Sequence, residues 1–225
     1  MAHIITQFQR PPAQLVESFA DFGAATVYEA AGRIGSVDPA IKPLGPGVRI
    51  LGPALTVQCF PRDNLMLHKA LQVAQPGDVI VATTDGYPNA GYFGDLMATS
   101  AMALKVGGLA IDGCARDSAE ILEMGFPIFS RGTCIRGTVK RNPGTINHPI
   151  VFGEVIVNPG DLVLGDGDGM VIIPQARIEE VLAASRKRVA KEVDKAAALR
   201  TGKTSMELNN LHVIIESLGL VEESS

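Results

Sequence analysis

The sequence predicts an α/β fold with a central mixed sheet, flanking helices and a C-terminal helical extension. Three observations carry that expectation. Between residues 54 and 130, apolar strand-like runs alternate with helix-like segments. The strand-like runs are almost continuously apolar, as expected of parallel strands covered on both faces. After about residue 135 the alternation gives way to short runs divided by turn residues. At 225 residues, with 46% hydrophobic and 20% charged residues, the chain can bury one substantial core. Residues 1–203 are expected to form a single α/β domain, with 204–225 as a helical tail.

Residues 12–32 read as two short helices broken near Gly23, with Pro12 at the start and Gly32 at the stop. The Gly/Pro-rich stretch 33–47 reads as loop. ALTVQCF (54–60) is a strand, and NLMLHKALQVA (64–74) a helix closed by Pro76-Gly77. DVIVATT (78–84) is a second strand, followed by a helix over 94–106 and a third strand, GLAID (108–112). SAEILEMG (118–125) is a helix and FPIFS (126–130) a short strand. Their crossovers are expected to be right-handed. Residues 149–174 give short antiparallel or mixed strands, with turns at Asn158-Pro159-Gly160 and Gly165–Gly169. A long helix runs from Pro174 to about Leu199, and a last one from about 204 to 218, after which VEESS is expected to fray.

The composition narrows the function. A net charge of −4 argues against a dedicated nucleic-acid surface. No apolar stretch reaches membrane-spanning length, and Met1–Pro12 has no leader pattern, so a cytoplasmic, soluble protein is expected. Cys59, Cys114 and Cys134 form no CxxC and read as reduced, small hydrophobes. No phosphate loop, HExxH or GxSxG occurs. GDGDGM (165–170) has neither dinucleotide-loop nor calcium-loop spacing and reads as a turn between strands. His3, His68, His148 and His212 show no ligand spacing.

Chemistry points to residues 94–120, where two polar clusters sit at strand-to-helix turns. Gly94-Asp95 opens one helix and Arg116-Asp117 precedes the next. In open α/β sheets, ligands bind beyond the carboxyl ends of parallel strands, where helix N-termini favour anions. Arg116 could hold a carboxylate in a two-pronged pair and Asp117 a hard cation. The same residues admit plainer roles. Asp117-x-x-Glu120 has capping-box spacing, Asp95 could be a helix cap, and Arg116 a surface ion-pair partner. Glu192 is a third candidate, because a continuous helix puts it on one face with Ile178, Val181, Ser185 and Leu199. It either reaches out to solvent or belongs to an interface or site. The surrounding basic residues, Arg186 to Lys195, read as a solvated face or a partner surface.

GDLMATSAMALKVGGLAIDGCARD (94–117) closely resembles the core signature of the class II pyruvate aldolases of the 4-hydroxy-4-methyl-2-oxoglutarate / 4-carboxy-4-hydroxy-2-oxoadipate type. That family shares its fold with the regulator of ribonuclease E activity (RraA-like). The likeness extends over about residues 13–203 and includes DNLMLHKA (63–70), PGDVIV (76–81), EMGFPIF (123–129), RGTVK (136–140), NPGDLVLGDGDGMVIIP (158–174) and AKE (190–192).

The resemblance implies an α/β/α swivelling-domain fold, assembled as a trimer or a dimer of trimers, with active sites between subunits. It implies that Asp117 ligates Mg²⁺ or Mn²⁺, with waters completing the shell. The N–H groups of Leu96 and Met97, after Gly94-Asp95, would hold the pyruvate carboxylate. Arg116 would bind the pyruvyl oxygen and stabilise the enolate. Asp95, and Glu192 from a neighbouring subunit, would orient the water that moves protons, with Glu120 filling the last acid position of the motif. The implied activity is retro-aldol cleavage of a 4-hydroxy-2-oxo acid, with oxaloacetate decarboxylation at the side. The implied partner is a small 2-oxo acid, with neither nucleic acid nor membrane. The alternative is a non-enzymatic regulator that binds a ribonuclease E-like partner; the complete acid set favours the enzyme.

Overall fold

A computed structural model describes residues 2–221. The expected strand over 54–60 forms earlier and runs longer, as β3 (Ile50–Gln58), after the short strands β1 (His3–Ile4) and β2 (Lys42–Pro43) and the helices α1 (Ala13–Glu17) and α2 (Ala24–Ala30). Then come α3 (Leu65–Val73), β4 (Val79–Thr83), β5 (Gly91–Phe93), α4 (Asp95–Ala103), β6 (Gly108–Ala115), α5 (Ser118–Met124) and β7 (Ile128–Thr133). The later part holds β8 (Thr145–Ile146), β9 (Ile150–Phe152), β10 (Val155–Val157), β11 (Leu162–Asp166) and β12 (Gly169–Ile173). It ends with α6 (Ile178–Arg200), α7 (Ser205–Leu208) and α8 (Leu211–Ser217).

The sheet is mixed, with strand order β1-β8-β3-β4-β6-β7-β2. Its centre is parallel: β3 pairs with β4, β4 with β6, and β6 with β7. Antiparallel pairs flank it, where β2 meets β7 and where β8 and β11 meet β3, while β1 adds to β8 in parallel. The central strands are buried on both faces, which explains why their sequences do not alternate. One face packs under α3, α4 and α5 through Leu67, Ala98, Ile121 and their neighbours. The other face, including Val79, Val81, Ala110 and Phe129, is closed by the β9–β10 ribbon and by Val37 and Ile41. Helices α1, α2 and α6 pack instead on β11 and β12, around Phe19, Val27, Leu162 and Val181.

Local expectations hold with differences of detail: the stretch 33–47, expected as loop, contributes the short strand β2, which pairs with β7. Strand β5 arises where the sequence offers only Gly-Tyr-Phe, because its pairing with β6 comes from tertiary contact. GDGDGM does form a hairpin turn, and Asp166 also accepts the Ala24 N–H at 2.7 Å, capping α2 in place of the side-chain-less Gly23. The expected last helix over 204–218 is two short helices, broken at Asn210, whose φ of 51° is left-handed. The Glu222–Ser225 end, expected to fray, lies outside the described residues. No helix among the described residues is long and apolar enough to cross a membrane.

Candidate active site

Strands β5 and β6 run parallel, so the turns that follow them lie side by side. The Arg116 N–H donates to the Phe93 carbonyl at 2.9 Å, tying the two turns together. Gly94 is the cap of α4 and Asp117 the cap of α5. Two of the sequence-predicted groups, Gly94–Met97 and Arg116–Asp117, therefore meet at the carboxyl ends of neighbouring parallel strands, the usual ligand position in such sheets.

Asp117 does not act as a conventional cap. Its backbone is left-handed (φ 54°, ψ 43°) and its side chain makes no capping bond, so the capping box with Glu120 is not formed. Its Oδ2 lies 3.3 Å from the Asp95 amide nitrogen and 3.3 Å from Arg116 Nε. A non-glycine residue held there costs about 1–3 kcal/mol. Full burial of Ile121 in the following turn contributes about 1.5–3 kcal/mol, enough to offset it. The missing side chain of Gly94 leaves room for this arrangement. A Cβ there would collide with Asp117 Oδ2 and sit 3.0 Å from Arg116 Nε.

Asp95 occupies the first position of α4, not the cap. Its Oδ1 accepts the Leu96 N–H at 2.7 Å, while the Met97 N–H donates to the Gly94 carbonyl at 3.1 Å. A carboxylate can take the Leu96 N–H only when the Asp95 side chain swings away. Glu120 is exposed in the first turn of α5.

A cavity of about 300 Å³ opens beside these turns. Its wall contains Asp95, Leu96 and Arg116, together with Asn64, His68 and Lys140. A second hollow of similar size lies across Arg116, lined by Asp117, Cys134 and Ile135. Asn64, His68 and Lys140 carried no role in the sequence reading. The signal that could have found two of them is spacing: residues 64 and 68 are one helical turn apart. Burial holds the His68 imidazole below the usual histidine range, and the Lys140 ammonium lowers it further.

Asp63 positions this wall. It is buried, and its carboxylate accepts the N–H groups of Leu65 (2.9 Å), Arg141 (2.7 Å) and Asn142 (2.7 Å). It thereby joins the start of α3 to the segment carrying Lys140. Burial pulls its pKa up, but the N–H donors outweigh burial and leave it below the usual carboxylate value. Cys59 is fully enclosed and its thiol is pushed up to about 12, which makes it a packing group.

Glu192 stands apart from this group. The first half of α6 buries Ile178, Val181, Leu182 and Ser185, and the second half leaves the core. The Glu192 side chain is 45% exposed, with Oε1 2.8 Å from Arg188 Nε but out of hydrogen-bond alignment. Arg188 also lies 3.5 Å from Glu29. The apolar stripe expected through Glu192 to Leu199 is solvent-facing at its end, Leu199 being exposed.

Asp117 offers one carboxylate, and no group of three or more His, Cys, Asp or Glu residues able to hold a metal forms among the described residues. That donor set fits a hard cation that keeps most of its waters, and does not fit a closed transition-metal site.

The family model described as RraA-like (Aldolase/RraA) matches residues 24–172, which hold all the turn and wall residues above but end before α6. A protein of Halalkalibacterium halodurans named "Putative 4-hydroxy-4-methyl-2-oxoglutarate aldolase" is 36% identical over 184 residues, 82% of this chain and 88% of its own. A crystal structure of an uncharacterized protein from Pseudomonas syringae pv. tomato superposes with a TM-score of 0.80 at 28% identity, covering 88% of this chain and 93% of that one. Streptomyces coelicolor RraAS2, described as an unusual member of the RNase ES inhibitor RraA family, superposes with a TM-score of 0.77 at 28% identity, covering 84% and 99%. With its fold and the matched segment in agreement, the chain belongs to the RraA-like (Aldolase/RraA) family.

Proposed function

We propose that the protein is a lyase that cleaves a 4-hydroxy-2-oxo acid to pyruvate and a second 2-oxo acid, with Mg²⁺ or Mn²⁺ at Asp117. 4-Carboxy-4-hydroxy-2-oxoadipate and 4-hydroxy-4-methyl-2-oxoglutarate are the candidate substrates. The observation that carries the reading is the Arg116-Asp117 turn, held in a strained conformation against Gly94-Asp95 at the mouth of a cavity. The name of the Halalkalibacterium relative supports the same reaction class.

The residues divide the work as the chemistry requires. Cleaving C3–C4 leaves an electron pair on the pyruvate fragment, so positive charge must stand near the 2-oxo group. Arg116 supplies fixed positive charge there, aimed at the developing enolate. A bound divalent cation would add Lewis acidity at the same oxygen. Asp95 rotates off the Leu96 N–H to admit the substrate carboxylate and, with Glu192 of a neighbouring copy, orients the water that moves the protons. Oxaloacetate loses CO₂ through the same enolate, so decarboxylation is the expected side activity.

The site is completed by another copy of the chain. Leu96 and Ile135 flank Arg116-Asp117 at 79% and 96% exposure, an apolar rim suited to cover by a neighbour. Glu192, exposed on α6 and remote from its own chain's turns, is the acid such a neighbour would bring, in a trimer or a dimer of trimers.

The test is pyruvate release from the two hydroxy acids and from oxaloacetate, each with Mg²⁺ and with a chelator. Chelator-sensitive release supports the reading; no release from any of the three by the assembled protein sinks it. A second reading, a regulator that binds a ribonuclease E-like partner, is favoured by the likeness to RraAS2. It predicts partner binding that survives loss of Asp117.

A further inference from the structure

Helices α7 and α8 are four and seven residues long, and neither contains a buried residue. Helices this short are marginal in water and are ordinarily held by a packed apolar face. Their packing on their own chain is partial. Leu211 and Ile215 are half-buried, and the Asn209 side chain accepts from Lys195 Nζ of α6 at 2.7 Å. The other face is open: Val213, Ile214 and Leu218 are 56%, 53% and 76% exposed, and Leu220 and Val221 just beyond are exposed too. Ile214 and Leu218 stand one helical turn apart and form a stripe. An apolar patch of this kind marks a surface that is covered in use.

The same chain carries a groove of matching character. A hollow of about 470 Å³ lies between α3 and α4, with Leu71 and Gln72 on one side and Leu96, Ser100 and Leu104 on the other. The last three follow at one-turn spacing, a small side chain between two exposed leucines. Stripe and groove are both open within one chain, so they do not meet there. Leu96 and Met97 line this groove and the active-site cavity alike. On the tail side, Lys195 anchors the approach to α8 and lies less than one turn from Glu192 on α6. A copy that brings Glu192 to the cavity therefore brings α8 to the cavity's edge, where the groove begins. Charge agrees with that approach. Exposed Arg186, Lys187 and Lys191 would arrive with Glu192, opposite Glu120 and Glu123, which are exposed on α5.

We infer that the open face of α8 docks into the α3–α4 groove of a second copy of this chain. The inference rests on the reading in which a second copy completes the site, yet its readouts need no substrate. Leu104→Cys and Leu218→Cys chains, coexpressed and mildly oxidised, are expected to give a disulfide-linked dimer whose peptides join residue 104 of one copy to residue 218 of another. The parent and each variant alone should lack that link. In the full chain, Ile214→Glu and Leu104→Glu each place a charge in the contact. Each is expected to raise the concentration for half-assembly about 30-fold or more, the range of a lost interface anchor, with circular dichroism unchanged. Sedimentation of the parent and both variants reads this. Unchanged assembly in both variants overturns the docking, as do absence of the 104–218 link from assembled protein and a parent that sediments as a monomer. Docking without pyruvate release would keep this contact and sink the aldol reading; pyruvate release without docking would sink this contact alone.

Discussion

The paired turns after β5 and β6 and the outer half of α6 both carry acids of the expected site, yet they are built differently. At the turns, Asp95, Arg116 and Asp117 are tied to one another by backbone and side-chain contacts within 3.3 Å. On α6, Glu192 has among the described residues only the adjacent turn of its own helix, through Arg188. The difference teaches that an acid's role can be read from one chain only where the chain itself restrains it. Asp117 is held in place by contacts from its own chain. An exposed acid on a helix that has left the core, such as Glu192, carries no such restraint.

The largest effect should come from Asp117→Asn, since asparagine tolerates the left-handed backbone and loses the charge. Turnover is expected to fall about 10³-fold or more with the fold retained, as for loss of a central electrostatic group. Near-normal, chelator-sensitive turnover in this variant would remove Asp117 as the cation ligand. Gly94→Ala comes next, because its methyl group must displace the side chains of Asp117 and Arg116. A displacement on the order of 1 Å is expected to cost about 10²-fold in kcat/KM. Activity within twofold of the parent would show that the two turns need not touch.

Glu192→Gln tests the other region. A loss of about 10-fold is expected for a carboxylate that acts through neighbouring groups. Mixed assemblies of this variant with Arg116→Ala should recover activity, because some sites then hold an intact Arg116 from one copy and an intact Glu192 from another. Failure to recover would confine the site to a single chain and dissolve the contrast drawn above.

Smaller effects are expected away from the reacting atoms. Asp63→Asn should destabilise the protein by about 1.5–3 kcal/mol, the worth of bonds to a charged acceptor. The sign with pH follows from its lowered pKa. The stabilisation is complete above the unfolded carboxylate value and is lost as pH falls through the lower folded one. Acid melts should therefore converge for the parent and the variant below that range, and a constant gap at all pH values would contradict it. Thr204→Ala should cost about 1 kcal/mol locally, through loss of the Thr204–Glu207 capping box. Faster amide exchange confined to α7 and α8 is the readout, and exchange spreading into β6 would show that the tail supports the site.

Much of this molecule is legible in its sequence. Alternating apolar runs and turn residues mark β4, α4, β6 and α5 to within a few residues, because burial on both faces and helix periodicity write themselves into local composition. The Gly94-Asp95 and Arg116-Asp117 turns are legible for the same reason, each lying at the junction of two such elements. Other features were decided by tertiary structure. Strand β5 exists because β6 offers it a partner, and the single helix expected over 204–218 splits at one left-handed asparagine. His68, which spacing alone made look scattered, joins a cavity with Lys140, a residue 72 positions away along the chain. Sequence by itself determined the layers and the two polar turns, since those follow from short-range periodicity. Which distant side chains share one cavity was settled only by how the layers pack.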